Sequence, residues 1–186
     1  MIRFYISVII LLISGICYSQ QKLPAIDKSP MDMSYYPAGY PVLKIQDKVK
    51  DPLIARVIFS RPQKNGRVIF GELIEYGKVW RLGANEATEI EFFQNVIINN
   101  VKVKKGRYSL YAIPDTSKWT IILNKETDTW GSFKYDLKKD VLRMTVPVEK
   151  QSEIAESLVM SFEKAKNGIT LLMVWDDVVV RLPISQ

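Results

Sequence analysis

From Leu53 onward the chain is a series of short β-branched, aromatic and aliphatic runs broken by turn-forming residues, a pattern that admits little besides antiparallel strands. Ile54 to Ser60 is a first strand, halted at Pro62, and Asn65-Gly66 marks a tight turn before a strand from Arg67 to Phe70. A short strand is expected at Lys78 to Leu82. Thr88 to Phe93, Val96 to Ile98 and Val101 to Val103 read as consecutive antiparallel strands around Asn99-Asn100. Arg107 to Ile113 stops at Pro114-Asp115, and Trp119 to Leu123 is nearly continuous in apolar residues, as in a strand covered on both faces. After a loop from Asn124 to Lys139 come Val141 to Val148 and Leu158 to Phe162, with one helical turn at Gln151 to Glu156 between them. Asn167-Gly168 then sets a hairpin leading into Ile169 to Trp175, and Asp176-Asp177 a second one leading into Val178 to Ile184. Short strands without a long helix imply an all-β, antiparallel single domain, a β-sandwich or jelly-roll-like fold in preference to a barrel.

The beginning of the chain has a different grammar. Arg3, the apolar run Ile6 to Ile13 and the small residues Cys17 and Ser19 before Gln20 form the pattern of a signal peptide over residues 1–19. Ile16 and Ser14 suit a lipidated Cys17 poorly. The apolar run is shorter than the ~20 residues a membrane span needs, and no later stretch replaces it. The expected location is therefore outside the cytoplasm, in the periplasm or beyond the cell. Residues 20–50, interrupted by Pro24, Pro30, Pro37 and Pro41, read as an extended leader. Met31, Met33, Tyr35, Tyr36 and Tyr40 make it too apolar to stand free, so it is expected to pack on the domain at 51–186. Loss of Cys17 with the signal removes any disulfide or thiol chemistry. The formal charge falls from +6 to +5 with Arg3, the only charged residue of the export segment. Interspersed signs describe a soluble surface, and Lys102, Lys104, Lys105 and Arg107 alternate with apolar residues as a hairpin does, so no nucleic-acid partner is implied.

One constellation is distinctive: Ser60-Arg61-Pro62, Gly66-Arg67, Ile69-Phe70-Gly71, Tyr76-Gly77, Val79-Trp80-Arg81 and Gly83-Ala84-Asn85-Glu86-Ala87-Thr88. With Gly106, Tyr108, Leu110, Ile113-Pro114, Trp119, Asn124 and Trp130-Gly131, it resembles the bacterial family known as domain of unknown function 2911. The resemblance covers most of the mature chain and departs only in the leader. It implies an exported β-rich protein, with no activity or catalytic residues to carry over.

The chain has no histidine, which removes the usual general base near neutral pH and a common ligand of transition metals. Serine or cysteine triads with histidine and zinc sites of His or Cys are excluded, and no cofactor is expected. Only oxygen ligands remain, and Asp176-Asp177 and Asp136 to Asp140 lack the spacing of a calcium loop. Paired carboxylates, Glu86 with another acid, are the one catalytic chemistry left open.

Trp80, Arg81, Asn85 and Glu86 bring an indole, a guanidinium, an amide and a carboxylate together beside a glycine turn. Such groups grip a carbohydrate or another small polar ligand. Their structural alternatives are an Arg81–Glu86 ion pair, an Asn85 turn and a Trp80 that fills the core. Trp130, beside Gly131 and near Phe133 and Tyr135, is either a stacking residue in a loop or a cap on one end of the domain. Trp119 and Trp175 read as core. Arg61 and Arg67 flank a turn and either add positive charge to the same end or are ordinary surface arginines. Three functions follow in order: a non-catalytic binding module using Trp80, Arg81, Asn85, Glu86 and Trp130; a carboxylate-dependent hydrolase of glycoside type in that cleft; and a structural envelope protein with a protein partner along an edge strand.

Overall fold

The structure is a computed structural model that describes residues 23–185. The export segment 1–19 with Cys17, and the expected mature start at Gln20, lie outside the described residues. Nine strands form one antiparallel sheet. They are β1 (Met31–Tyr36), β2 (Ala55–Ser60), β3 (Glu89–Phe92), β4 (Val96–Ile98), β5 (Val101–Val103), β6 (Gly106–Pro114), β7 (Lys118–Asn124), β8 (Asp140–Ala165) and β9 (Gly168–Ser185), in the order β1-β2-β3-β6-β7-β8-β9-β4-β5. Helix among the described residues is confined to α1 (Tyr40–Ile45) and a single 3-10 turn at Leu137–Lys139. None is long and apolar enough to cross a membrane. The all-β antiparallel class expected from the sequence is thus what is observed. The hydrogen bonds define a continuous sheet whose halves share β8: Asp140–Pro147 pairs with β7, and the later part of the strand with β9.

The last two strands are longer than the periodicity suggests. Gln151 to Glu156 is extended, so the expected helical turn is absent and the two strands on either side of it are one. The Lys166-Asn167 turn joins Ala165 to Gly168, which delivers the expected hairpin into Ile169 to Trp175. Asp176-Asp177 does not make a second hairpin. Ile169–Val174 and Val178–Val180 both pair with β8 and not with each other, and Asp176, at φ 58°, is a corner inside β9. The register shifts between Lys150 and Val159 opposite that corner, which is how a bulge bends a ribbon. The bend is large. A straight strand of this length spans about 60 Å, yet a Cβ added to Gly168 at one end of β9 would stand 2.2 Å from the Ile184 carbonyl oxygen near the other. The segment after β2 docks on the same corner, with Leu158 N donating to Pro62 O at 3.1 Å and Lys64 N to Glu156 O at 2.6 Å. The sheet therefore curls around one interior.

Partner choice is where periodicity says least. β4 and β5 form the expected hairpin, with Asn99 and Asn100 at φ 50° and 61°, as a type I′ turn requires. β3 does not join them: it pairs with β2 and β6, while β4 lies beside the end of β9 at Ser185. Arg67 to Phe70 and Lys78 to Leu82 are not strands. Each supplies one isolated bridge, Phe70 with Ile74 and Trp80 with Ala112, because Gly66, Gly71 and Gly77 at positive φ break both runs. Within residues 20–50, expected to be extended, Met31–Tyr36 form the edge strand β1, paired along its length with β2, while Tyr40–Ile45 turn into α1.

The interior is organised by aromatic rings. Trp80 stacks on Trp175 with centroids 5.9 Å apart and planes 24° apart, and meets Trp119 edge-on at 5.7 Å. Phe70 lies 5.2 Å from Trp119. Trp119, Ile121 and Leu123 of β7 face this core, whereas Ile122 faces a second cluster with Tyr111 and Ala87. The strand expected to be covered on both faces is so covered. Glycine at 168 is required twice, by its φ of 138° and by contact with backbone that cannot move aside. Gly66, at φ 70°, has open space around its Cα. Gly66→Ala is expected to cost about 1–2 kcal/mol, the left-handed penalty alone, and Gly168→Ala clearly more. Urea denaturation of the two variants side by side checks the order, and equal losses would contradict the curled β9.

Candidate functional site

The segment from Trp80 to Thr88 is irregular but braced at nearly every residue. The Trp80 backbone exchanges hydrogen bonds with Ala112 of β6 at 2.7 and 2.9 Å, and its indole N–H donates to Gly83 O at 3.1 Å. Leu82 is fully buried at φ 53°, and its carbonyl accepts from the Thr88 hydroxyl at 2.7 Å. The Ser60 hydroxyl accepts from Ala84 N at 2.6 Å and donates to Ala84 O at 2.5 Å. Gly83 leaves no room for a side chain, since a Cβ there would meet Ser60 Oγ at 2.8 Å. Buried Ser60 and Thr88 thus replace the missing ladder partners of the loop.

This bracing separates the five candidate residues. Trp80, 4% exposed, is a core residue, so its face is taken by Trp175. Asn85 sits at φ 58° with its carbonyl accepting from Gly131 N at 2.9 Å. Glu86 is exposed and forms an isolated bridge with Trp130. Asn85, Glu86 and Trp130 therefore stand together where the 80–88 loop meets the loop after β7. Arg81 stands apart from them, and no Arg81–Glu86 ion pair forms among the described residues.

The loop after β7 is pinned from beneath. Ala87 N donates to Thr129 O at 3.0 Å, the Ser132 hydroxyl to Val79 O at 3.0 Å, and the Tyr111 and Thr129 hydroxyls are 2.9 Å apart. The Tyr135 ring packs edge-on against Tyr111 at 5.2 Å, and its hydroxyl donates to Asp140 Oδ2 at 2.5 Å. Burial and the Asp140 bond raise the Tyr135 phenol above its ordinary value, opposed by Arg143. With the underside fixed, Trp130 at 61% and Phe133 at 86% exposure point outward.

Arg81 is the electrostatic anomaly. Among the described residues only two buried side-chain nitrogen or oxygen atoms lack a hydrogen-bond partner, Arg56 Nε and Arg81 Nε. Arg56 has compensation, an ion pair with Glu91 at 2.5 Å and the ring of Phe93 at 5.9 Å. Arg81 has neither carboxylate nor acceptor, and burial alone lowers its pKa from the ordinary arginine value. A guanidinium nevertheless stays protonated near neutrality, so its buried Nε–H is left without an acceptor and its positive charge without a carboxylate partner. It lines two neighbouring clefts. One, of about 170 Å³, is bounded by Glu75, Lys78, Trp80 and Ser132. The other, of about 230 Å³, is bounded by Ser29, Pro62, Arg67, Ile74 and Trp175.

Two other hollows are less informative. One, of about 560 Å³, lies between α1 and residues 47–51, where Asp47, Lys48, Lys50 and Asp51 mix both signs. It has size but no orphaned polar group. Glu86 lines a hollow of about 150 Å³ with Glu89 and Asp128, and Arg107 pairs with both of the latter at 3.3 and 2.5 Å. Glu86 lines neither Arg81 cleft. The remaining acids singled out by sequence have structural partners: Asp176 with Lys64 at 2.5 Å, Asp177 with Lys150 at 2.7 Å, and Asp140 with Asn124 at 2.8 Å. No cluster of three metal-ligating side chains occurs among the described residues.

Residues 41–184 match the family described as Protein of unknown function (DUF2911). That span is well over half of the 186 residues, and the chain belongs to this family. No curated protein and no solved structure matches it.

The contrast between the two candidate indoles is measurable. Trp80→Ala is expected to destabilise by about 3–5 kcal/mol, and Trp130→Ala to change stability by no more than about 0.5 kcal/mol. Chemical denaturation followed by circular dichroism checks both. A large loss in Trp130→Ala would make that residue a structural cap.

Proposed function

We propose that this protein is an exported, extracytoplasmic binding module that holds a carbohydrate or other small polar ligand at the Arg81 clefts, on the rim of a curled, sandwich-like sheet. The observation that carries the reading is the unpartnered guanidinium of Arg81, half-buried in a loop whose every neighbour is hydrogen-bonded or packed. Leaving such a group unsatisfied costs stability, and a ligand acceptor removes that cost. Trp130 with Asn85 and Glu86 forms a second exposed edge suited to stacking and hydrogen bonding, adjoining the 80–88 loop. The export pattern at residues 1–19 supports a periplasmic or extracellular setting. Binding without turnover is favoured over hydrolysis because Glu86 is in a different hollow from Arg81, and its acidic neighbours are occupied by Arg107.

A thermal-shift screen of the purified protein against monosaccharides, amino acids, small acids and nucleotides tests this reading. The expected result is a saturable rise in melting temperature that Arg81→Met abolishes, with no product formed from the ligand. Product that disappears in Glu86→Gln would point to the hydrolase, and the absence of any Arg81-dependent shift would remove the binding reading. Stability supplies a check that needs no ligand. Arg81→Met keeps the side chain's reach and discards the uncompensated charge, so the free protein is expected to gain about 0.5–2 kcal/mol. A loss of more than about 1 kcal/mol in urea would show that Arg81 is held by the fold for its own sake.

A further inference from the structure

We propose that the ligand of the larger Arg81 cleft is a small oxyanion, gripped by Arg81 from within and Arg67 at the rim; this deepens the binding reading above and rests on it. The cleft wall contains two guanidinium groups and no carboxylate. Its apolar members, Pro62, Ile74 and Trp175, keep those charges from being fully solvated. Arg67 is exposed, and its own hydrogen bonds go to the carbonyl oxygens of Lys64, at 3.0 Å, and Gln63. Both acceptors are neutral and leave the positive charge standing.

Two acids at this end of the domain are committed elsewhere, and Glu75, which lines the smaller Arg81 cleft, does not line this one. Asp176 pairs with Lys64 at 2.5 Å, and Asp32 with Arg61 at 3.2 Å. Asp32 and Asp176 thus answer Arg61 and Lys64, whereas neither Arg67 nor Arg81, which line the cleft, has a carboxylate partner among the described residues. No carboxylate contributes to the depressed pKa of Arg81, whose only cause is burial.

A neutral hydroxyl would satisfy the free N–H of Arg81 but neutralise neither charge. An oxyanion does both, because carboxylate and phosphate oxygens accept from the planar fork in pairs. The volume, about 230 Å³, is below the ~300 Å³ at which pockets for drug-sized ligands begin. The fitting ligand is therefore a single small acid, with an apolar or ring-shaped body against Pro62 and Ile74. Ser29, from the segment before β1, closes one side, so the leader is part of the site.

The test is calorimetric and thermal-shift titration of the purified protein with galacturonate, inorganic phosphate and galactose. Galacturonate and galactose differ in the carboxylate, and phosphate separates an oxyanion alone from one carried on a ring. At least one anion is expected to bind saturably, with galactose silent. Arg67→Gln and Arg81→Gln are each expected to weaken the binding about tenfold or more, and Arg81→Lys, which keeps the charge but not the fork, to weaken it less than Arg81→Gln. Circular dichroism and melting curves confirm that each variant is folded, and Arg81→Lys serves alone if Arg81→Gln does not fold. Galactose binding that depends on Arg81 would overturn the oxyanion while leaving the binding module intact. Anion binding indifferent to both arginines, or no binding of either anion, would overturn the oxyanion site, and the binding module itself falls only if the wider ligand screen also yields no Arg81-dependent shift.

Discussion

The face-to-face contact of Trp80 with Trp175 is the interaction on which the rest of the molecule depends. It joins an irregular loop to the first half of β9, and Trp119 of β7 and Phe70 of the preceding loop close around it. Large buried rings dominate the energetics of a core of this size. This cluster sits where the curled sheet brings β7 and β9 toward the segment after β2. Because Trp80 is fixed inside, the backbone of its neighbour Arg81 is held at the edge of the same cluster. Trp175 belongs to both the ring stack and the wall of the larger cleft, so the core and the candidate site are one construction.

The curl has a local cause. β8 and β9 form one long ribbon, and a ribbon with both faces alike would run straight past the domain. Asp176 at positive φ, with the register break on the opposite strand, turns it through a corner. The Lys64 ion pair and the backbone bonds from Pro62 and Lys64 hold that corner against the chain leaving β2. Gly168 then lets the ribbon's tip approach the end of β9.

Much of this was legible in the residues, for reasons that can be named. Alternation and β-branched runs report local conformation, so β2, β4 to β7 and the two-residue Asn99-Asn100 turn stand where the sequence puts them. Partners depend on contacts between distant segments, and nothing in Thr88 to Phe93 or Val96 to Ile98 says that the chain crosses from one end of the sheet to the other between them. Asp176-Asp177 looks the same whether it turns a hairpin or a corner, and Gln151 to Glu156 is helical in composition but extended, pairing with β9 only through Ala155 opposite Asp176. In the candidate site, the 80–88 loop was visible as a cluster of chemistries. Its division was not, because only burial shows that Trp80 points inward while Trp130 points outward. Beside its turn Arg67 reads equally as charge added to that end or as an ordinary surface arginine, and the signal that raises it is spatial: a shared cleft with an arginine whose Nε has no partner.

The central claim is that Arg81 is held without an acceptor in the free protein and gains one from a bound oxyanion. Proton–nitrogen correlation NMR of the arginine Nε–H groups, assigned with Arg81→Lys and Arg67→Lys, addresses it directly as galacturonate is added. The Arg81 Nε–H is expected to move in a saturable way, together with that of Arg67, while that of Arg143, whose Nε already donates to Asp140 at 2.7 Å, stays in place. An Arg81 resonance that does not respond while the anion binds elsewhere, or one already hydrogen-bonded in the free protein, would contradict it.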